Sequence, residues 1–245
     1  MHSEIQRRIC QSPTSAYVAH KSTPVISFGN FEKAKIGTLG INPSSNEFYS
    51  KDKLLAPGKK RLVDLESLEI ASHKQITEGK AQKILEGCYN YFNTRPLKWF
   101  ADFERLLNAK SLSYKDGSAS HIDLVQWCTI PVWRDIPSFE RRRLLEFDRD
   151  FFHWQIENND MQVIILGGRQ VLNEVQAIPE TKLDLISKHH YFSRNRKVSY
   201  EIYKMDDFKG RKLIGWSVNL QTMRASVEEK TGVTSNLQRF LEAEV

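Results

Sequence analysis

The chain has 245 residues, of which 40% are hydrophobic and 27% are charged, and this composition can build and solubilise one large core. The three cysteines are odd in number and form no C-x-x-C pair, which excludes a disulfide framework and the cysteine signatures of zinc and iron–sulfur proteins. The net charge of +6 suits a polyanionic partner such as nucleic acid, although ordinary cytoplasmic enzymes often carry a similar charge.

The beginning of the chain, residues 1–8, carries charges without an apolar segment behind them. No stretch approaches the roughly 20 apolar residues of a membrane-spanning helix. We therefore expect a cytoplasmic protein that does not associate with membranes. We expect it to be a monomer with a single domain over residues 1–245.

Four short apolar runs have the length and the β-branched content of buried strands, at residues 35–41, 121–128, 162–166 and 213–218. Helical periodicity occupies residues 75–91 and 97–107, a long helix that follows Ser138 and ends near Asn158, and a short helix at 170–175. Residues 183–205 include an alternating segment that predicts a hairpin or an extended insertion. Strands separated by helices predict an α/β fold, in which ligands bind beyond the carboxyl ends of parallel strands.

The most distinctive segment follows the first predicted strand, where residues 40–48 read GINPSSNEF. A buried strand that ends in such a polar loop delivers reactive groups to a sheet edge. Hydrolysis of an N-glycosidic bond passes through a cationic sugar, so its site must hold a water without a strong nucleophile of its own. The side-chain oxygen of Asn42 can accept a hydrogen bond from such a water. Alternatively, Asn-Pro simply starts a turn.

The form G-I-N-P resembles the first motif of the uracil-DNA glycosylase superfamily, in which an Asn or Asp before Pro positions the attacking water. The resemblance implies a three-layer α/β sandwich whose central parallel sheet has four strands in the order 2-1-3-4. It assigns the water to Asn42, stacking on the extruded base to Phe48, and further base contacts to Gly40 and Ile41. Phe48 could instead be a core aromatic beneath the loop.

The loop at residues 40–48 is the first of three candidate constellations. The second is Asp123, which lies within the apolar run at residues 121–128. A buried, unpaired carboxylate costs several kcal/mol, so Asp123 should have a partner or a task. In the resembling family, an Asn near this place pairs with the base edge. An ionised carboxylate only accepts hydrogen bonds, which favours an amino-bearing, cytosine-type base over uracil. Alternatively, Asp123 caps a helix or pairs with a lysine such as Lys35.

The third constellation, residues 215–226, occupies the place of the family's second motif, usually His-Pro-Ser or Met-Pro-Ser. This chain has neither the His nor the Pro. It offers Asn219 and Gln221 as neutral catalytic donors to a base oxygen, Leu220 as a wedge into the vacated base stack, and Arg224 as a phosphate contact. Alternatively, the segment is a strand-to-helix turn with a polar cap.

Additional contacts to DNA are predicted from short hydroxyls and basic stretches. Ser44 and Ser45 could donate to a phosphate, or could cap the segment that follows them. Residues 188–197 interleave aromatic and charged side chains, which is typical of nucleic-acid binding. His189 and His190 are neighbours on a predicted strand and point to opposite faces, so a shared metal is not expected.

Taken together, these patterns predict a monofunctional DNA glycosylase that needs no cofactor, metal or iron–sulfur cluster. The candidate loops contain no lysine, which disfavours a Schiff-base mechanism with strand cleavage. The expected substrate is a cytosine-type or modified pyrimidine in DNA, in a role of either DNA repair or defence against modified phage DNA. The alternatives are an inactive nucleic-acid-binding module of the same fold, a uracil-excising repair enzyme, and a hydrolase of free nucleosides or nucleotides.

Overall fold

A computed structural model of the chain describes residues 1–50, 53–56 and 58–244. These residues form two units, each assembled from three segments of the chain. The first unit comprises Met1–Asn30, Ile41–Arg95 and His121–Asn158, and the second unit comprises Phe31–Gly40, Pro96–Ser120 and Asn159–Val245. The single domain over residues 1–245 stays a prediction, because a division into units does not say whether they unfold separately.

Helices and strands are interspersed along the chain. The helices are α1 (Ser3–Cys10), α2 (Glu78–Tyr89), α3 (Tyr91–Thr94), α4 (Ala101–Asn108), α5 (Ser138–Glu157), α6 (Arg169–Gln176) and α7 (Val227–Glu244). The strands are β1 (Ile36–Gly40), β2 (Tyr49–Ser50), β3 (Lys53–Leu54), β4 (Ala119–Asp123), β5 (Val163–Gly167), β6 (Asp184–Ser193), β7 (Arg196–Phe208) and β8 (Arg211–Trp216). Among the described residues, no helix is both long enough and apolar enough to cross a membrane.

Six of these strands form one sheet in the order β4-β1-β5-β8-β7-β6, so the fold is α/β. Strand β5 runs parallel to β1 and β8, whereas β7 is antiparallel to both β8 and β6. The predicted sheet of four parallel strands is wrong in its extent. The four predicted strands are neighbours, but the antiparallel pair β7 and β6 continues the sheet beyond them. The outer edge of β8 is thereby paired, which an isolated four-stranded sheet would leave open.

The central strands are buried along almost their whole length. All five residues of β1 are buried, as are the first four of β5. The register places Ile36 opposite Val163 and Leu39 opposite Leu166. Strands covered on both faces need apolar residues at successive positions, which explains the continuous runs in the sequence.

Strand β4 is shorter than the predicted strand at residues 121–128, because it ends at Asp123. The apolar residues that follow it belong to a core cluster in the first unit, made of Val125, Trp127, Trp133, Ile136 and Leu144. Val125 and Trp127 are fully buried there. The apolar run therefore continues past the strand because of core packing, not because of sheet pairing.

Strands β6 and β7 form a long antiparallel hairpin in the second unit, with Ser193 opposite Arg196. The two residues of its turn, Arg194 and Asn195, have φ of 48° and 65°. A two-residue hairpin turn with positive φ at both positions twists in the same sense as the strands it joins. Neither residue is the glycine that this backbone conformation favours.

Candidate functional site

The loop after β1 is hydrogen-bonded to the segment after β4, and both lie in the first unit. The carbonyl oxygen of Ile41 accepts from Val125 N at 2.9 Å. The side-chain amide nitrogen of Asn42 lies 3.3 Å from Trp127 O and 3.2 Å from Thr129 Oγ1. These bonds hold the loop that carries Asn42 against the segment that begins just after Asp123. Two of the three predicted constellations are thus brought together.

The orientation of the Asn42 amide follows from its partners. Besides Trp127 O, its nitrogen contacts Pro43 O at 3.2 Å, and backbone carbonyls only accept hydrogen bonds. The amide nitrogen must therefore face them, which turns Oδ1 the other way. Among the described residues, no group donates a hydrogen bond to Oδ1, and Asn42 is only partly buried. The arrangement leaves an oriented acceptor of the kind that can hold a water.

The other residues of this loop that were predicted to contact the base are buried or packed against the core. Gly40 ends β1 and is buried, and the side chain of Ile41 packs against the Trp127 cluster. Phe48 is only 1% exposed, so the structure presents it as a core aromatic and not as an open stacking platform. Base binding by Gly40 and Ile41, and stacking on Phe48, stay predictions that require the loop to rearrange.

The two predicted phosphate contacts of the loop differ in their environment. Ser44 precedes a 3₁₀ turn at Ser45–Glu47, and its Oγ accepts from Asn46 N at 3.2 Å. The capping role is therefore observed for Ser44, although its hydroxyl proton can still be donated. The Ser45 hydroxyl has no hydrogen-bond partner among the described residues.

A buried acidic group beneath the loop was not anticipated from the sequence. Glu47 is 7% exposed, accepts from Tyr91 Oη at 2.7 Å, and lies 3.6 Å from the Arg61 guanidinium. Burial, reinforced by the Glu47 carboxylate, raises the pKa of Tyr91 well above its usual range, so this phenol remains a donor. The only signal in the sequence is an acidic residue directly before Phe48. These contacts anchor the far end of the loop.

Asp123 is 3% exposed, and a histidine side chain lies next to its carboxylate. His121 Nε2 lies 3.4 Å from Asp123 Oδ1, and both side chains are almost fully buried. Residues two apart on a strand share a face, which is the signal that could have indicated this pair. The neighbour of the Asp123 carboxylate is therefore the imidazole of His121 on the same strand, and not a lysine such as Lys35.

A buried polar network is hydrogen-bonded to the backbone of Asp123. Gln126 Nε2 donates to Asp123 O at 2.9 Å, and Gln126 N donates to Asp148 Oδ2 at 2.7 Å. Arg8 completes the network by donating to Gln126 Oε1 at 3.2 Å and to Asp148 Oδ1 at 2.5 Å. Burial raises the pKa of Asp148 to about 6, and the Arg8 charge acts in the opposite direction. Nothing in the sequence indicated that Arg8, a buried residue of α1, takes part.

In the second unit, the turn after β8 contains the predicted catalytic amides. Asn219 Oδ1 accepts from Gln221 N at 3.0 Å and from Thr222 N at 3.3 Å, so it caps this turn, whereas the next helix, α7, begins only at Val227. The amide nitrogen of Gln221 is buried and has no hydrogen-bond partner among the described residues. A buried donor without a partner is costly, and it marks Gln221 as a group that a ligand could satisfy.

Leu220 and Arg224 follow in the same segment and have opposite environments. Leu220 is 1% exposed, and since a wedge has to project from the surface, its role as a wedge stays a prediction that requires the segment to rearrange. Its apolar side chain fills the interior of the second unit. Arg224 is exposed, as a phosphate contact must be.

No family model matches this chain, and no curated protein matches it. The functional assignment therefore depends on the motifs and on the geometry described above. Within residues 1–50, 53–56 and 58–244, no group of three or more His, Cys, Asp or Glu side chains could hold a metal ion. The groups that the structure places at the loop after β1 and the segment after β4 are the Asn42 amide and the buried Asp123 carboxylate.

Proposed function

We propose that this protein is a monofunctional DNA glycosylase that extrudes a pyrimidine nucleotide from DNA and hydrolyses its N-glycosidic bond. The water oxygen bonds to C1′ of the deoxyribose as the bond from C1′ to the base breaks. The base departs with the electron pair of that bond and is protonated, while the sugar keeps the hydroxyl group. The proposal includes a cytoplasmic monomer, and it leaves open whether the enzyme repairs DNA or attacks modified foreign DNA.

The observation that carries the proposal is the orientation of the Asn42 amide. Its nitrogen is held by Trp127 O and Thr129 Oγ1, which leaves its oxygen as a fixed acceptor for a water. A neutral acceptor suits the reaction, because the sugar becomes cationic before the water attacks it. A side chain held in place by two hydrogen bonds loses little entropy when the water binds.

The proposed substrate follows from the carboxylate of Asp123. It accepts hydrogen bonds and therefore matches the exocyclic amino group of a cytosine-type base, but it would repel the O4 carbonyl of uracil. The network of Gln126, Asp148 and Arg8 holds the backbone of Asp123 in place. The role of Gln221 as a donor to a base oxygen stays a prediction from the sequence.

A specific observation favours a second candidate, an inactive DNA-binding module of the same fold. The second motif contains no histidine, and the side-chain oxygen of Asn219 is engaged in capping the turn. Stabilisation of the leaving base would then depend on the amide groups alone. The two candidates differ in whether the protein forms abasic sites.

The deciding experiment incubates the protein with duplexes that carry uracil, cytosine or a 5-substituted cytosine at one position. We expect strand breaks only after alkali treatment, since a monofunctional enzyme leaves an intact abasic strand. The strongest signal should come from a cytosine-type base. Binding without alkali-labile sites in any duplex would support the inactive module. Excision of uracil alone would contradict the role given to Asp123.

Replacing Asp123 with asparagine should change which base is excised. A well-placed hydrogen-bonding pair discriminates between bases by about 1 to 3 kcal/mol, so excision of the cytosine-type base should fall roughly 5- to 150-fold. Uracil excision should rise, because the new amide can donate to O4. Asp135→Asn is the control, since Asp135 is an exposed carboxylate of the first unit. An unchanged ratio of the two excision rates in Asp123→Asn would refute the role of Asp123 in recognising the base.

A further inference from the structure

An open cleft of about 530 Å³ lies in the second unit, where the tip of the β6–β7 hairpin meets the beginning of α7. One wall is formed by the hairpin residues Phe192, Arg194 and Asn195, and the other includes Arg224, Ser226 and Glu229. Its volume is sufficient for one nucleotide. Arg224 is a phosphate contact predicted from the sequence, and none of these residues takes part in the chemistry proposed above.

Hydrogen bonds join the two walls, so the cleft is already formed. Phe192 N donates to Glu229 Oε2 at 3.1 Å, and Ser193 Oγ donates to the carbonyl oxygen of Arg224. Ser226 Oγ accepts from Glu229 N at 3.2 Å, which fixes the first turn of α7. A preformed cleft lets a ligand bind without the entropy cost of ordering its walls.

The cleft is cationic, and its positive charges are available. Arg194 and Arg224 are both exposed, and neither forms an ion pair with a carboxylate of the described residues. The one acidic lining residue, Glu229, accepts the Phe192 N–H, which partly offsets its charge. Guanidinium groups bind phosphate through paired N–H donors, and this makes a phosphodiester the matching ligand.

An exposed aromatic completes the cleft. The Phe192 side chain is 46% exposed, although large apolar side chains are usually covered. Aromatic rings beside cationic groups are the combination by which proteins hold single nucleotides, because the ring stacks on a base while the charges bind phosphates. Phe192 supplies a stacking surface, whereas the predicted platform Phe48 is buried.

We propose that this cleft binds one nucleotide of a DNA strand, with Arg194 and Arg224 on its phosphates and Phe192 against its base. The inference rests on the proposed function, since it gives the proposed glycosylase a DNA contact made by residues other than Asn42 and Asp123. It identifies the β6–β7 hairpin, which the four-stranded prediction did not include, as a DNA-binding element.

The test measures DNA binding by the whole protein by fluorescence anisotropy, over a series of salt concentrations, with single-stranded and duplex oligonucleotides. Each of Arg194→Gln and Arg224→Gln should reduce the slope of log Kd against log salt by about 0.7 to 0.9, as expected for one lost phosphate contact. Phe192→Leu should weaken binding about tenfold with an unchanged slope. Arg196→Gln is the matched control, because it removes the same charge from the same hairpin outside the cleft.

The control decides between a site and a diffuse charge effect. A slope change in Arg196→Gln equal to that in Arg194→Gln would overturn the proposal, as would tighter binding of the same sequence as RNA. No measurable binding of DNA by the unaltered protein would overturn it as well. Base excision is assayed separately, so that the two proposals can fail independently. If the cleft variants alter DNA binding as expected but the unaltered protein excises no base, the cleft proposal holds and the glycosylase proposal fails. If the protein excises a base but the cleft variants bind DNA as the unaltered protein does, the glycosylase proposal holds and the cleft proposal fails.

Discussion

Alanine in place of Asn42 should lower the single-turnover rate of base excision by roughly 10²- to 10³-fold, the effect of losing one preorganised polar group at a reacting centre. The substitution removes the acceptor that would hold the water and the amide that ties the loop to Trp127 O and Thr129 Oγ1. DNA binding should change little, because Asn42 contacts no phosphate in the proposed arrangement. Rapid-quench kinetics with enzyme in excess over a cytosine-type substrate measures this rate.

Two further substitutions test the reasoning behind that expectation. Asn46→Ala is the matched control, since Asn46 is an exposed asparagine in the same loop, and its excision rate should equal that of the unaltered protein. Asn42→Asp should fail to restore the rate despite the greater basicity of a carboxylate. One carboxylate oxygen would face the carbonyls of Pro43 and Trp127, which only accept hydrogen bonds. A fully active Asn42→Ala protein would refute the catalytic role of Asn42.

The sequence predicted the existence of the central strands better than their ends. A run of apolar residues indicates burial, and burial on both faces of a parallel sheet is its commonest cause. The run after Asp123 shows the limit of that inference, because Val125 and Trp127 are buried in a core cluster and not in a strand. Local patterns do not distinguish these two sources of burial, since each depends on contacts with distant parts of the chain.

The candidate site shows the same division between local and distant information. The identity of Asn42 and its place after a strand could be read from the sequence, and Ser44 as a cap was one of two alternatives. The partners of Asn42 at Trp127 and Thr129 are 85 and 87 positions away and could not be inferred. The burial of Leu220 was missed for the same reason, because a short polar segment gives no periodicity from which its inward face can be deduced.

At the β6–β7 hairpin, the family resemblance led to an expected sheet with too few strands. Alternation of apolar and polar residues in residues 183–205 indicated a hairpin, yet the expected four-stranded sheet left it no place. The structure pairs β7 with β8, so that the hairpin extends the sheet. The pattern in the residues was the better guide at this point.

Replacing Arg8 with methionine should destabilise the protein by about 3 to 5 kcal/mol, because it leaves the carboxylate of Asp148 buried without its partner. Arg8 is 1% exposed and Asp148 is fully buried, and their side chains are 2.5 Å apart. The matched control is Arg7→Met on the same helix. Arg7 pairs with Glu4 at the surface, where an ion pair contributes about 1 kcal/mol or less. Urea denaturation of both variants measures the difference.

The loss should depend on pH with a definite sign. Burial already raises the pKa of Asp148 from 3.8 to about 6, and removal of the Arg8 charge should raise it further. The folded state then binds a proton that the unfolded state releases, so stability falls as the pH rises from about 4 through the folded pKa. The deficit of Arg8→Met should therefore be smaller at pH 5 than at pH 8. If the charge of Asp148 is the cause, adding Asp148→Asn, which keeps an acceptor for Gln126 N, should remove most of the deficit and its pH dependence. A deficit that persisted in the double variant would instead show that Arg8 acts through its other contacts, the hydrogen bond to Gln126 Oε1 and the packing against Trp127, whose ring centroid lies 5.2 Å from the guanidinium.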